Sequence, residues 1–193
     1  MREHLLPVEI VFETHSRSTD NDAGIATGWK HGRLSEHGRV LAKELGHRRR
    51  SDSLDAVFSS DLRRAVDTAV IAFSGVRVPM YFDPRLRECN YGDWNGAPVA
   101  ALVGKRRQFV GSPYPNGQSY QDVVAAMAAF LGELARDWSG RRLLVIGHSV
   151  TRWALQALID HEPLEDLVDA PFDWREGWEY LLPAGWDRSA GGA

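Results

Sequence analysis

The sequence predicts a single α/β domain built on a largely parallel sheet, and three observations carry that reading. Short apolar or β-branched runs (Val8 to Thr14, Asp55 to Phe58, Leu143 to Ile146) alternate with stretches whose apolar residues recur at helical spacing. The run Leu143 to Ile146 lacks a polar face, as expected of a central parallel strand covered on both sides. No repeat or low-complexity linker interrupts the alternation, apart from a Gly/Ala tail at Ala190 to Ala193. The 193 residues suit one domain, 1–193, large enough to bury a core without disulfides.

The elements follow in order. Val8 to Thr14 reads as a buried strand that ends at His15. Ser35 caps a helix carrying Leu41 and Leu45 and stopping near Gly46. After the short strand Asp55 to Phe58, Leu62, Ala65, Val66, Ala69, Val70 and Phe73 mark a helix with Ser60 or Asp61 as its cap. Val76 to Phe82 reads as a third strand, weakened by Pro79. Residues 84–118 are irregular and rich in Gly, Pro and aromatics. Ser119 caps the next helix, which carries Val123, Val124, Met127, Phe130, Leu131 and Leu134. Leu143 to Ile146 leads to Gly147-His148, and a helix with Val150, Trp153, Ala154, Ala157 and Leu158 follows. Trp178 to Leu182 is the expected last strand.

Composition narrows the functions. A net charge of −3 gives no reason to expect nucleic acid or a membrane surface as partner. The basic runs Arg48-Arg49-Arg50 and Lys105-Arg106-Arg107 are short, and the ordinary reading of each is a solvated face. The single cysteine, Cys89, excludes an internal disulfide and fits a reducing compartment. With no apolar signal core at Met1-Arg2-Glu3-His4 and no apolar run of membrane-spanning length, the expectation is a soluble cytoplasmic protein. Trp174, Trp178 and Trp186 crowd the C-terminal segment beside Pro171, Phe172 and Tyr180. Packing on the last strand is the ordinary account, and a self-association surface the sharper one, so monomer and homodimer both stay open.

Two of the seven histidines, His15 and His148, stand directly after predicted buried strands. Ligands of open α/β sheets bind beyond the carboxyl ends of the strands. No HxH, HExxH or CxxC spacing suggests a metal. Taken alone, two histidines that merely terminate strands are an equal alternative. Ser59-Ser60-Asp61-Leu62-Arg63-Arg64 adds two arginines to the first turn of a helix, where free N–H groups and the dipole favour anions. An arginine fork there matches phosphate oxygens, although one of the two is expected to be simply exposed.

Taken together these pieces resemble the histidine phosphatase (phosphoglycerate mutase-like) superfamily. His15 and Asn21, six residues on, match the family's first motif; Thr27-Gly28-Trp29 and Leu34-Ser35-Glu36-His37-Gly38 are similar to its second. Ser60 to Ala69 resembles its Ser-x-Leu-x-Arg-Ala-x-x-Thr-Ala helix, with Arg64 as the phosphate arginine. Leu86-Arg87-Glu88 and Tyr91-Gly92-Asp93-Trp94-Asn95-Gly96 match the segment carrying its acid. Pro115-Asn116-Gly117-Gln118-Ser119 and Val145-Ile146-Gly147-His148-Ser149 complete the series, in the family's order, over residues 7–160.

The resemblance implies a three-layer sandwich, a mostly parallel central sheet with helices on both faces, and a small cap at about 92–118. It implies a small phosphorylated metabolite as partner and neither metal nor cofactor. His15 would take the phosphoryl group, Glu88 would serve as acid then base, and His148 would join Arg64 on the phosphoryl oxygens. Asn21, Ser16, Thr27, Gly28, Tyr91 and Ser149 fall in the motifs that line such a pocket. The family's arginine before the nucleophile is absent: Thr14 stands there, and Ser16 replaces a glycine. Arg17 is the favoured substitute and Arg152 a weaker one. An active phosphatase and a non-catalytic relative that binds phosphorylated ligands or a protein both stay open. Retention of His15, Glu88 and His148 favours the enzyme, and the short segment from Gly92 to Gly117 favours hydrolysis over a mutase. Tyr91, Arg106 and Arg107 keep the mutase as an alternative.

Overall fold

The computed structural model describes residues 5–171 and 173–187, which leaves Phe172 outside the described residues. The chain opens with strand β1 (Val8–Thr14), followed by α1 (Thr19–Asp22), the two-residue β2 (Ile25–Ala26) and α2 (Glu36–Arg49). Strand β3 (Ala56–Ser60) runs almost directly into α3 (Arg63–Ala72), and β4 (Met80–Asp83) follows. A segment of short turns then carries β5 (Ala97–Pro98) and α4 (Val99–Leu102). The chain continues through α5 (Tyr120–Asp137), β6 (Arg142–Gly147), α6 (Ser149–Leu155), α7 (Leu164–Asp169) and β7 (Trp178–Leu182).

The central sheet has the order β4-β3-β6-β1-β7. Its first four strands are parallel and β7 joins antiparallel at one edge, so the sheet is mostly parallel as expected. Alternation along the strands divides the core into two layers. Ile10, Phe12, Phe58, Leu143 and Val145 meet α5 through Met127, Phe130, Leu131 and Leu134. Val11, Val57, Leu144 and Ile146 meet α2 and α3 through Leu45, Ala65, Ala69 and Ala72. A third cluster packs the turn segment onto α5, α6 and α7 through Tyr91, Leu102, Tyr114, Tyr120 and Trp153. Pairing of β2 with β5 ties that segment to the loop after β1. Among the described residues no helix is long and apolar enough to cross a membrane.

Several boundaries differ from the sequence expectation. The strand expected from Val76 begins only at Met80, because Pro79 has no N–H for a ladder; its carbonyl accepts from Val57 at 2.9 Å, and pairing starts beyond it. The second strand runs on to Ser60. Helix α3 has Leu62 as its cap residue and no side-chain cap. Ser60 Oγ accepts from the N–H of the cap residue Leu62 rather than from the first helical turn, while Asp61 turns away to a two-pronged ion pair with Arg87 (both 2.6 Å).

Helix α2 does not stop near Gly46 but continues to Arg49. Gly46 is instead a contact point, since a Cβ there would lie 2.0 Å from the Ala72 carbonyl oxygen. The small Ala65, Ala69 and Ala72 bring α3 equally close. Gly46→Ala must therefore push the two helices apart, an overpacking cost of about 1–3 kcal/mol. Thermal unfolding should show Tm lowered by several degrees; an unchanged Tm would mean that α2 and α3 separate without cost.

Candidate active site

The parallel register brings the two strand-end histidines together. Thr14 stands opposite Gly147, and the His15 N–H extends the ladder to the Gly147 carbonyl at 2.9 Å. The next residues, His15 and His148, leave the sheet side by side with ring centroids 5.0 Å apart. Helix α3, entering from the neighbouring strand β3, delivers Arg64 between them. Arg63, one position earlier, points outward and pairs with Asp67 at 2.7 Å, so the exposed and buried members of the pair are separated by the helical rotation.

Arg64 is 2% exposed and organises the centre. Its Nε–H donates to His15 Nε2 at 3.2 Å. One terminal nitrogen donates to the Gly28 carbonyl at 2.9 Å and to His148 Nδ1 at 3.2 Å, and the other reaches the Lys30 carbonyl at 3.4 Å. A guanidinium only donates, so these bonds fix both imidazoles. His15 holds its proton on Nδ1, donated to the Ser16 carbonyl at 2.7 Å, and keeps a lone pair on Nε2. His148 holds its proton on Nε2, a buried atom without an acceptor among the described residues. Burial, then the charge of Arg64, pushes the His15 pKa down to about 3. The same causes, with His15 itself added, hold His148 well below the usual histidine range. Both rings are neutral near pH 7. The pair thus offers one nucleophilic nitrogen and one N–H donor beside a buried cation.

Glu88 lies on the same cavity wall. The arginines on either side in sequence are engaged elsewhere: Arg85 binds Asp83 and Glu133, and Arg87 binds Asp61. Glu88 Oε1 accepts from the Cys89 N–H at 2.8 Å, and burial raises its pKa despite the opposing charges of Arg64 and Arg106. Tyr91 is buried beside it, edge-on to Tyr114. The Cys89 thiol is fully buried and pushed up by desolvation, which makes it inert.

The remaining sequence candidates take distinct places. Gly28 sits at φ +54°, where a Cβ would lie 1.7 Å from Asn95 Oδ1, so the turn whose carbonyl accepts from Arg64 requires glycine. Thr27 is buried and donates to Asp20 at 2.8 Å. The Ser16 N–H donates to Thr68 Oγ1, which itself donates to the Arg64 carbonyl, joining the His15 loop to α3. Asn21 lines the cavity, and its side chain accepts from Ser18 in a capping box at α1. Ser149 opens α6 on the cavity wall. Arg17 is at the rim, about half exposed, with its Nε bonded to Asp22. Arg152 is buried in α6 with its guanidinium 4.8 Å from the Trp178 ring and is not among the residues lining the cavity.

The cavity is about 660 Å³, far more than one phosphoryl group fills, and it is lined by Arg48, expected on a solvated face, and by Arg106, one of the residues that keep the mutase alternative. Arg106 stands over the Trp153 ring at 5.5 Å, whereas Arg107 pairs on the outside with Asp166 and Asp169. Arg48 and Arg49 turn inward because Glu13, in β1, is 1% exposed and needs cationic partners. Two glutamates, Glu9 and Glu13, interrupt the apolar residues of that strand, and the buried one was the available signal. Of the C-terminal tryptophans, Trp178 packs on Phe12 and Trp186 on the main core, while Trp174 lines the cavity.

Fold and site together define a cavity at the carboxyl end of a parallel sheet that groups two neutral histidines, a buried arginine and a carboxyl. The family model for the histidine phosphatase superfamily (branch 1) matches residues 10–174, and the chain belongs to that superfamily. Phosphoserine phosphatase 1 of Hydrogenobacter thermophilus is 26% identical over 77% of this chain and 74% of its own length. A 2,3-bisphosphoglycerate-dependent phosphoglycerate mutase of Methylobacterium sp. is 30% identical over 78% of this chain and 80% of its own. Among solved structures, Bacillus stearothermophilus YhfR superposes with a TM-score of 0.78 at 26% identity, covering 92% of this chain and 96% of that one. A mycobacterial glucosyl-3-phosphoglycerate phosphatase in complex with VO3 gives 0.75 at 27%, covering 83% and 85%. The relatives are thus named as phosphatases and as mutases.

Proposed function

We propose that this chain is a metal-independent cytoplasmic phosphatase that hydrolyses a small phosphomonoester through a phosphohistidine at His15. The observation that carries the reading is the locked pair of tautomers: His15 presents a lone pair on Nε2, and His148 an N–H with no acceptor among the described residues, on either side of Arg64. In the first step the hydrogen bond of the Arg64 Nε–H passes from His15 Nε2 to a phosphoryl oxygen, the freed Nε2 lone pair attacks phosphorus and the ester P–O bond breaks. The proton of Glu88 passes to the departing oxygen. Arg64 and His148 Nε2–H hold the phosphoryl oxygens, supplying charge stabilisation from side chains. In the second step the Glu88 carboxylate takes a proton from water, whose oxygen attacks phosphorus and displaces His15.

The mutase reading rests on Arg106, a second cation within reach of an anionic leaving group, and on the relatives that bear that name. The test is to incubate the protein with phosphomonoesters and a chelator, then quench and look for a phosphoryl group on His15 that is labile to acid and stable to base. Label on His15 with inorganic phosphate accumulating over many turnovers supports the phosphatase. Label that moves only to a second acceptor alcohol favours the mutase. Absence of label and of released phosphate across the panel would overturn both in favour of a binding protein.

A further inference from the structure

We infer that the cavity has a second subsite, between α2 and the segment before β7, which takes a second anionic group of the substrate through Arg48. The inference rests on the phosphatase reading for the position of the transferring phosphoryl group, and it adds what the rest of the molecule must look like.

The cavity that holds Thr14 and His15 is also lined by Leu41, Leu45 and Arg48 of α2 and by Ala170 and Trp174 from the segment before β7. No cationic side chain stands at position 14; Arg17 lines the cavity with its Nε ion-paired to Asp22, and Arg152 lies against the Trp178 ring. Arg48 is held differently. The carboxylate of Glu13 is gripped by Arg49, whose Nε and terminal nitrogen lie 3.0 and 2.9 Å from the same oxygen. Arg48 approaches that oxygen only to 3.5 Å and the exposed Glu176 only to 3.9 Å. Its Nε is buried and has no acceptor among the described residues. Glu13 keeps Arg49 as its nearest cation, although Arg49 is shared with Asp52 at 3.1 Å, and Arg48 is the guanidinium of this cluster that lines the cavity.

Leu41 and Trp174 add apolar surface to the lining, and Trp174 is 53% exposed. An occupant that fits is an apolar or planar body bearing a carboxylate or a second phosphate, its charge on Arg48 and its body against the indole. Charge-assisted, two-pronged contacts of this kind are roughly twice as strong as neutral ones.

The test compares phenyl phosphate with the ortho, meta and para carboxyphenyl phosphates. Binding is measured by calorimetry on His15→Ala protein, so that the outcome does not depend on turnover. At least one carboxylated isomer should bind about tenfold more tightly than phenyl phosphate, the scale of one charge-assisted hydrogen bond. Arg48→Met should erase that preference while leaving phenyl phosphate unchanged. Leu41→Glu, which sets a negative charge in the lobe without touching the Glu13 cluster, should erase it too, and covers the case in which Arg48→Met fails to fold. Equal binding of all four esters would overturn the subsite. So would a preference that survives both variants, or one abolished by Arg106→Met alone. Failure of the wild-type protein to release phosphate would overturn the phosphatase reading and leave this comparison intact.

Discussion

Replacing Arg64 with methionine should lower kcat/KM for every phosphomonoester by ~10²–10³, the usual consequence of deleting one oxyanion donor. Methionine keeps much of the volume, so the effect isolates the guanidinium. The residue has two linked tasks. It fixes the tautomers of His15 and His148 through bonds of 3.2 Å to each, and it supplies the nearest buried positive charge. Lysine keeps a charge but not the planar fork that reaches both imidazoles and the Gly28 carbonyl, so Arg64→Lys should recover only a small part of the loss. The two tasks separate in a pH measurement. Because Arg64 contributes, after burial, to holding His15 near 3, its removal should move the acid limb of kcat/KM upward toward the ordinary histidine value. A rate loss without that movement would mean that Arg64 binds phosphate but does not tune His15. An unchanged rate would remove it from the site altogether.

How much of this was legible depended on how far apart in sequence the cooperating residues lie. His15 and His148 were visible as strand-end histidines because each strand is a compact local signal. That they face one another follows only from β6 being inserted beside β1, a property of sheet order that no local pattern contains. Arg64 was visible through its helix start, and its burial beside an exposed Arg63 follows from helical rotation. Arg48 was misjudged for a physical reason. A run of three basic residues reads as a solvated face until a buried carboxylate far away in sequence claims two of them, and which of the strand's two glutamates is buried is not a local signal. The fold was legible in outline, while the edge strands were less so, since Pro79 delays β4 and β7 reverses direction.

Glu88→Gln should reduce kcat/KM by ~10²–10³ for alkyl phosphates, within the range of general acid catalysis, and by much less for 4-nitrophenyl phosphate. The contrast follows from the leaving group, because nitrophenolate departs without a proton and an alkoxide does not. The pH dependence gives the sign. Burial raises the Glu88 pKa, so the protonated acid that the first step needs persists to higher pH than in an ordinary glutamate and disappears as pH rises through that raised value. At the other extreme His15 loses its lone pair only as pH falls toward about 3. For alkyl esters kcat/KM should therefore be bell-shaped, limited by His15 at low pH and falling as pH rises through the raised Glu88 pKa. In Glu88→Gln the descending limb assigned to the carboxyl should vanish while the limb at low pH stays. Glutamine keeps the shape of the side chain, so packing against Tyr91 is preserved and the melting temperature serves as a control. If the descending limb remains in the variant, the proton comes from another group. The nearest alternative is His148, whose Nε2–H would then protonate the leaving oxygen instead of binding the phosphoryl group, and a much larger loss in His148→Gln on alkyl than on nitrophenyl esters would identify it.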